Sequence, residues 1–489
     1  MTNNDLIKVL ILLGGINVLI VLAYLMKKIK GMPGSIPRKF LHITAITIAG
    51  YSFVYISDSA YLLALGILIL LGNYVMYKKE VFEKNKTGEK NLGIFFVPIS
   101  YLILVLTMNE HRELAMFSML IMAFADAGAA LIGEFFPLAP YTLGSSRKTL
   151  SGSLTFAFVT LLLLNLSLFF TVDGKIFMSV EPVFKIWIFL LFTTLILTVA
   201  EALSTKGFDN IIVPLLSAYF FILFFTHPFS VSPEGLFYGV LLAGALLYFS
   251  FKYKFLTPDG AYAAFILGAV IFGFGGLKWS VPLLTFFILS SLLSKIKKNN
   301  FSDAFEKGDN RDALQVLANG GLPAILLGIN LIHPDAIWFV LYLISLAVSM
   351  ADTWATEIGN IKKRHTFWIL NLKPVSQGVS GGISLGGTIG GITGAAVLTL
   401  SGIAWIRYYP LLIFFLVATG GAVGMFIDSI LGATLQRKNR CSVCGKETEK
   451  RVHCGKPTLF SSGIKFINND IVNFLSALTV VVITYFILR

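Results

Sequence analysis

The run L-A-M-F-S-M-L-I-M-A-F-A-D-A-G-A-A-L-I-G-E, residues 114–134, decides how this chain is built. It is apolar for about the length that crosses the hydrocarbon of a bilayer, roughly 20 residues. One carboxylate, Asp126, interrupts it, and that is expensive in a membrane helix, about 2.5–3.5 kcal/mol at the bilayer centre. The residues after the carboxylate, Ala129, Ile132 and Gly133, form the pattern D-x-x-A-x-x-I-G. The same pattern returns as Asp352, Ala355, Ile358 and Gly359 in a second apolar run, 336–359. A membrane helix with a carboxylate, written twice, is the theme from which the rest follows.

Working outward, apolar runs recur along the 489 residues, 56% of which are hydrophobic and only 13% charged. A soluble chain carries about 25% charged residues. The hydropathy pattern predicts sixteen spans, near 5–26, 40–56, 59–77, 93–108, 114–134, 150–171, 184–204, 209–227, 233–251, 259–277, 279–296, 312–331, 336–359, 379–400, 409–433 and 466–488. The expected fold class is an all-α polytopic membrane protein whose about 16 transmembrane helices form two parallel eight-helix repeats. The first span has no basic region before it and no small-residue cleavage site after it, so it reads as an uncleaved helix rather than a signal peptide.

The net charge of +13 sorts by topology rather than by affinity for nucleic acid. With the spans laid out alternately, the loops opening at 27, 78, 135, 205, 252, 297, 360 and 434 hold, with their flanks, 32 of the 39 Lys and Arg residues. The positive-inside rule makes this side cytoplasmic and leaves both termini outside. The expected location is the cell inner membrane. All three cysteines fall between 441 and 454 on the reducing side, which excludes a disulfide scaffold.

The repeat extends beyond its first motif. Each copy is followed by a lysine and a Ser-Gly pair: Lys148 with Ser151-Gly152, and Lys373 with Ser380-Gly381. Glu201 lies 75 residues after Asp126, and Asp428 lies 76 after Asp352. Asp209-Asn210 precedes V-P-L-L-S-A, and Asn469-Asp470 precedes V-N-F-L-S-A. Eight spans per half keep both halves in one orientation, unlike the inverted repeats of many transporters. The expected domains are 1–228 and 229–489, the second with a cytoplasmic Cys/His loop over 437–465.

Four carboxylates at matched spacing, Asp126, Glu201, Asp352 and Asp428, point to Mg²⁺, which takes hard oxygen ligands. A carboxylate reaching to water or to a nearby lysine is the plainer reading of any one of them. Lys148 and Lys373 stand near turns that open helices, where free N–H groups and a point charge bind phosphate. Arg38, Lys39 and His42 at the start of the second span, and Arg311, Gln315 and Asn319 at the twelfth, can each line a phosphate pocket, although topological anchoring also explains the first set. Glycines 382, 386, 390 and 394 form a stripe suited to close helix packing. Cys441, Cys444, His453 and Cys454 make a Cys₃His set of the kind that binds structural zinc, with three unmetallated thiols as the alternative.

These motifs also carry a resemblance. R-K-F-L-H (38–42), G-I-F-F-V-P (93–98), D-A-G-A-A-L-I-G (126–133), R-K-T-L-S-G-S (147–153) and E-A-L-S-T-K-G-F-D-N-I-I-V-P (201–214) resemble the polyprenol kinase family that includes dolichol and phytol kinases. Ala125 stands where that family has glycine. L-T-P-D-G-A-Y-A-A (256–264), R-D-A-L-Q-V-L-A-N-G-G (311–321), A-D-T-W-A-T-E-I-G (351–359), G-V-S-G-G-I-S-L-G-G-T (378–388), D-S-I-L-G-A-T-L-Q (428–436) and N-N-D-I-V-N (468–473) are similar to the membrane family that includes the plant phytyl-phosphate kinase. The resemblance implies a CTP-dependent isoprenoid alcohol kinase fused to an isoprenyl-phosphate kinase. It implies Mg²⁺ at Asp126 and Asp352, and catalytic roles for Asp126, Glu201, Asp209, Asp352, Asp428 and Asp470. Implied contacts to nucleotide or isoprenoid substrate are Arg38, Lys39, His42, Lys148, Ser151, Gly152, Asn210, Arg311, Gln315, Asn319, Glu357, Lys373, Ser380, Gly381, Gln436, Asn469 and Asn473. Two rival readings are a cytidylyltransferase, whose S-P-K-K-T-x-E-G signature is similar to S-S-R-K-T-L-S-G at 145–152 but for the missing glutamate, and a transporter or flippase for an isoprenoid phosphate.

Overall fold

Apolar runs flanked by polar loops fold as helices because a bilayer offers backbone N–H and C=O groups no water. The computed structural model describes residues 3–29, 32–78, 93–226, 232–296, 311–360, 365–445, 447–450 and 452–489. It divides into two compact units, Met1–Pro233 and Glu234–Arg489. The boundary read from the sequence, at 228–229, lies outside the described residues.

The first unit contains α1 (Asn3–Lys27), α2 (Ser35–Tyr55), α3 (Ser59–Lys78), α4 (Gly93–Thr107), α5 (Arg112–Ile121) and α6 (Ala127–Phe135). A single π-helical turn, Met122–Asp126, joins α5 to α6. The hairpin β1 (Pro140–Leu143) and β2 (Ser146–Thr149) leads into α7 (Leu150–Phe170), α8 (Val172–Val180), α9 (Val183–Leu203) and α10 (Asp209–Phe221). Its core packs α5 against α2 and α10, and α7 against α6 and α9. Phe189 and Phe224 stack with centroids 4.3 Å apart, and Phe177 joins them by stacking on Phe189 at 5.9 Å.

The second unit contains α11 (Pro233–Lys252), α12 (Pro258–Ile296), α13 (Ala313–Ile332), α14 (Ala336–Gly359), α15 (Leu385–Ile403), α16 (Pro410–Thr434) and α17 (Asn469–Leu488). Three short strands, β3 (Thr366–Trp368), β4 (Pro374–Val375) and β5 (Gly382–Ile383), precede α15. Five more, β6 (Lys438–Arg440), β7 (Glu447–Thr448), β8 (Val452–His453), β9 (Lys456–Pro457) and β10 (Leu459–Ser462), lie between α16 and α17. The hub is α14, on which α12, α13, α15, α16 and α17 all pack. Nearly every side chain from Ile337 to Ala351 is buried there.

Each of the sixteen predicted stretches lies on a helix, but twelve described helices are long and apolar enough to cross a membrane. Three fall short for physical reasons. The basic side chains Arg38 and Lys39, with His42, dilute α2; α4 has 15 residues, and the helix over Asp209–Phe225 is similarly short. The tenth and eleventh stretches merge into α12, whose 39 residues bend where Gly276 takes φ 56 and ψ −162. The sequence missed α8 and all ten described strands, so the fold is helical with short β elements rather than all-α. The expected glycine stripe also differs: Gly382 belongs to β5, and the glycines of α15 that meet α14 backbone are Gly387, Gly391 and Gly394.

Candidate functional site

In the first unit five elements converge on one group of charges. The π-helical turn, a feature that recurs at functional sites, ends on Asp126. Lys39 of α2 donates to Asp126 Oδ2 at 2.7 Å, and His42 Nε2, one turn further along α2, lies 3.4 Å from the same oxygen. Asp126 Oδ1 makes no hydrogen bond or ion pair among the described residues. Lys148, on β2 just before the N-cap of α7, forms an ion pair with Glu201 near the end of α9. Burial works against the Lys148 ammonium, but Glu201, with Asp209 and Asp126 beyond, more than offsets this and raises its pKa. Asp209, at the first turn of α10, lies within charge range of Asp126, Lys148 and Glu201. Lys39, His42, Asp126, Lys148, Glu201 and Asp209 are therefore brought together from α2, the π-turn, β2, α9 and α10.

Other expected residues have structural duties instead. Arg38 is exposed. Asn210 Nδ2 donates to Gly93 O at 3.2 Å and ties the start of α10 to that of α4. Ser151 Oγ donates to Phe136 O at 2.6 Å. Gly152 N–H donates to the N-cap hydroxyl of Thr149 at 3.1 Å. A Cβ on Gly152 would sit 2.9 Å from Ala129 O, so this glycine is needed for contact with α6.

The second unit repeats that joint. The side chain of Ser384, the N-cap of α15, accepts from Gly387 N–H at 3.2 Å, and a Cβ on Gly387 would lie 2.8 Å from Ala355 O. Thr149-x-x-Gly152 against Ala129 thus corresponds to Ser384-x-x-Gly387 against Ala355. The sequence paired Ser151-Gly152 with Ser380-Gly381, and this is corrected. Ser380 Oγ donates to Gln436 Oε1 at 2.8 Å, and Gly381 packs on Ala433 at the end of α16. Lys373 is exposed in the turn between β3 and β4 and is not the positional equivalent of Lys148.

Acidic groups dominate the second cluster. Asp352 of α14 and Asp428 of α16 lie within charge range of each other. Ser476 of α17 donates to Asp428 Oδ2 at 3.2 Å. In the orientation that satisfies both ends of its amide, Asn473 donates to Asp428 Oδ2 at 3.1 Å and to Asn469 O at 3.1 Å. Among the described residues neither aspartate forms an ion pair, and Asp352 has no hydrogen-bond partner. Asp470 Oδ2 accepts from Asn468 Nδ2 at 3.1 Å. Glu357, one turn past Asp352, accepts from Ser294 at 2.9 Å and is in charge range of Arg311, whose guanidinium stands over the Phe286 ring. Among the described residues Gln315 Oε1 is buried without a partner, and Asn319 Nδ2 donates to Gln315 O at 3.1 Å. Ser476 was read only as part of the repeated V-N-F-L-S-A, and Ser294 escaped the sequence reading, because a serine in an apolar run carries no signal of its own.

In the loop after α16, the backbone N–H groups of Cys444 and Val443 point at Cys441 Sγ and bring its thiol down to about 6.

These helices define a polytopic integral membrane protein. The family model described as "Integral membrane protein DUF92" matches residues 241–481, and the chain belongs to that family. The uncharacterized membrane protein MJ0933 of Methanocaldococcus jannaschii is 30% identical over 203 residues, 42% of this chain and 84% of that protein. Protein PGR of Arabidopsis thaliana is 29% identical over 275 residues, 50% of this chain and 94% of its own length. The uncharacterized membrane protein sll0875 of Synechocystis is 28% identical over 193 residues, 38% of this chain and 74% of the relative. No solved structure matches the chain.

Proposed function

We propose that the chain is a tandem membrane kinase. Its first unit phosphorylates a long-chain isoprenoid alcohol, of phytol or geranylgeraniol type, and its second phosphorylates the monophosphate to the diphosphate. CTP is the proposed donor in both steps. The reading includes sixteen crossings in two parallel sets of eight, with α2, α4, α10 and the two arms of α12 counted as crossings. Both sites then face the cytoplasm of a cell inner membrane, on the side that holds most of the basic residues.

The observation that carries this reading is the first-unit cluster, in which two lysines and three carboxylates from distant parts of the chain meet at one place. Phosphoryl transfer asks for positioning and charge stabilisation more than covalent chemistry. In this reading Lys39 and Lys148 bind nucleotide phosphates, each held ready by a carboxylate. Asp209 orients the attacking hydroxyl. The free Oδ1 of Asp126 fits a hard divalent cation. Asp352 and Asp428 fit one better still, since no basic side chain among the described residues neutralises them. Magnesium held by Asp126, and by Asp352 with Asp428, would help neutralise the charge of a transferring phosphoryl group. In the second unit Arg311 binds the isoprenyl phosphate, with Gln315 and Asn319 beside it.

The test is purified protein with magnesium, CTP labelled in its γ-phosphate, and either geranylgeraniol or phytol or, in a second arm, the corresponding monophosphate. The reading expects label in the lipid mono- and diphosphate and release of CDP. Pyrophosphate release would establish the cytidylyltransferase alternative and reject the kinase.

A further inference from the structure

Among the described residues of the 437–465 loop, Cys441 is the one buried apolar side chain. Val443, Val452, Leu459 and Phe460 are exposed, and the strands are two to four residues long. So small a β element lacks the core needed to hold itself together, and segments of this size rely on a cross-link or a metal. All three cysteines are free.

Four ligand atoms meet inside this loop. One each from Cys441, Cys444, His453 and Cys454 lie within 4.8 Å of one another. His453 Nδ1 is 3.6 Å from Cys444 Sγ and 3.2 Å from Cys454 Sγ. Tetrahedral zinc, with Zn–S about 2.3 Å and Zn–N about 2.0 Å, sets its ligand atoms roughly 3.5–3.8 Å apart. The backbone is shaped for the same purpose. Val443 and Cys444 donate N–H to Cys441 Sγ at 3.4 and 3.5 Å, as around a bound thiolate. Each pair of ligands is followed by a glycine with positive φ, Gly445 at 71 and Gly455 at 72. Cys454 itself takes φ 51, which turns two adjacent side chains, His453 and Cys454, toward a single point.

We infer that the loop is a structural zinc site with ligands Cys441, Cys444, His453 and Cys454, and that the metal fastens the end of α16 to the start of α17. The fastening runs through backbone bonds on both sides of the loop. Arg437 N donates to Ile467 O at 2.8 Å, and Ile464 N to Leu435 O at 2.9 Å. Strand β6 pairs with both β10 and β7, and Asn439 Nδ2 holds Glu449 O and Lys450 O at 3.2 and 3.1 Å. The helices so joined bring Asp428 to Asn473 and Ser476. All four protein ligands close the coordination shell, so the role is structural rather than catalytic.

The test uses the full chain, untagged and purified in detergent without chelator, and needs no activity. Elemental analysis is expected to give one zinc per chain, and Cys444→Ser and Cys454→Ser to lose it. Where a variant fails to fold, the wild-type protein decides: cobalt(II) exchanged for zinc should show the visible bands of a tetrahedral thiolate site, and alkylation of the three thiols should begin only after chelation. Folded wild-type protein without stoichiometric zinc would overturn the site. Chelation should also speed amide exchange at Arg437 and Ile464. Unchanged exchange there after complete metal removal would overturn the fastening role.

Discussion

At the scale of single residues, the two clusters differ in how their carboxylates are balanced. Lys39 and Lys148 are partners of Asp126 and Glu201, whereas among the described residues Asp352 and Asp428 have neutral partners or none. Stripping one partner from a buried pair strands the other at a cost of about 3–5 kcal/mol. Changes that keep a hydrogen-bonding group facing the former partner are therefore the informative ones. Lys148→Gln is expected to lower alcohol phosphorylation by roughly 100-fold, the size of a lost transition-state charge contact, and to leave conversion of added monophosphate unchanged. Steady-state rates on the two substrates check this, and equal losses in both would contradict it. The carboxylates were legible because a charge in an apolar run has few explanations. The Lys148–Glu201 pair was not, since 53 residues separate its members and neither position constrains the other locally.

At the scale of elements, the joint between α14 and α15 depends on a cap and a glycine. Ser384→Ala removes a side-chain N-cap, typically worth about 1 kcal/mol. Gly387→Ala places a methyl group 2.8 Å from Ala355 O and forces the helices apart. Both are expected to lower the thermal midpoint of the detergent-solubilised protein, Gly387→Ala by more. Lys373→Ala, on an exposed turn, is expected to change neither the midpoint nor either activity. A loss of second-step activity in Lys373→Ala with an unchanged midpoint would restore the lysine to the site. The sequence led to Ser380-Gly381 because a Ser-Gly dipeptide is conspicuous, while the working equivalence is a cap followed three residues later by glycine. Hydropathy found the helices because burial in lipid demands long apolar runs. It could not find strands of two to four residues, which hold too few side chains to show alternation.

At the scale of the whole molecule, orientation and division of labour each have a direct test. Cysteines placed at Ser145 or Asn371, both exposed, in a background without the three native cysteines, are expected to react only from the cytoplasmic side. A cysteine at Ser232 is expected to react only from outside. Labelling of Ser145 and Asn371 from opposite faces would make the halves inverted and favour a transporter. The division of labour is the central claim, because each unit has its own cluster of carboxylates and polar groups. Asp126→Asn, which keeps an oxygen for Lys39, and Asp352→Asn test it together. With CTP, magnesium and a long-chain isoprenoid alcohol, Asp126→Asn should make no monophosphate yet still convert added monophosphate to diphosphate. Asp352→Asn should accumulate monophosphate, and an equimolar mixture of the two variants should restore the diphosphate. Loss of both steps in either folded variant, or no restoration on mixing, would contradict two separate sites.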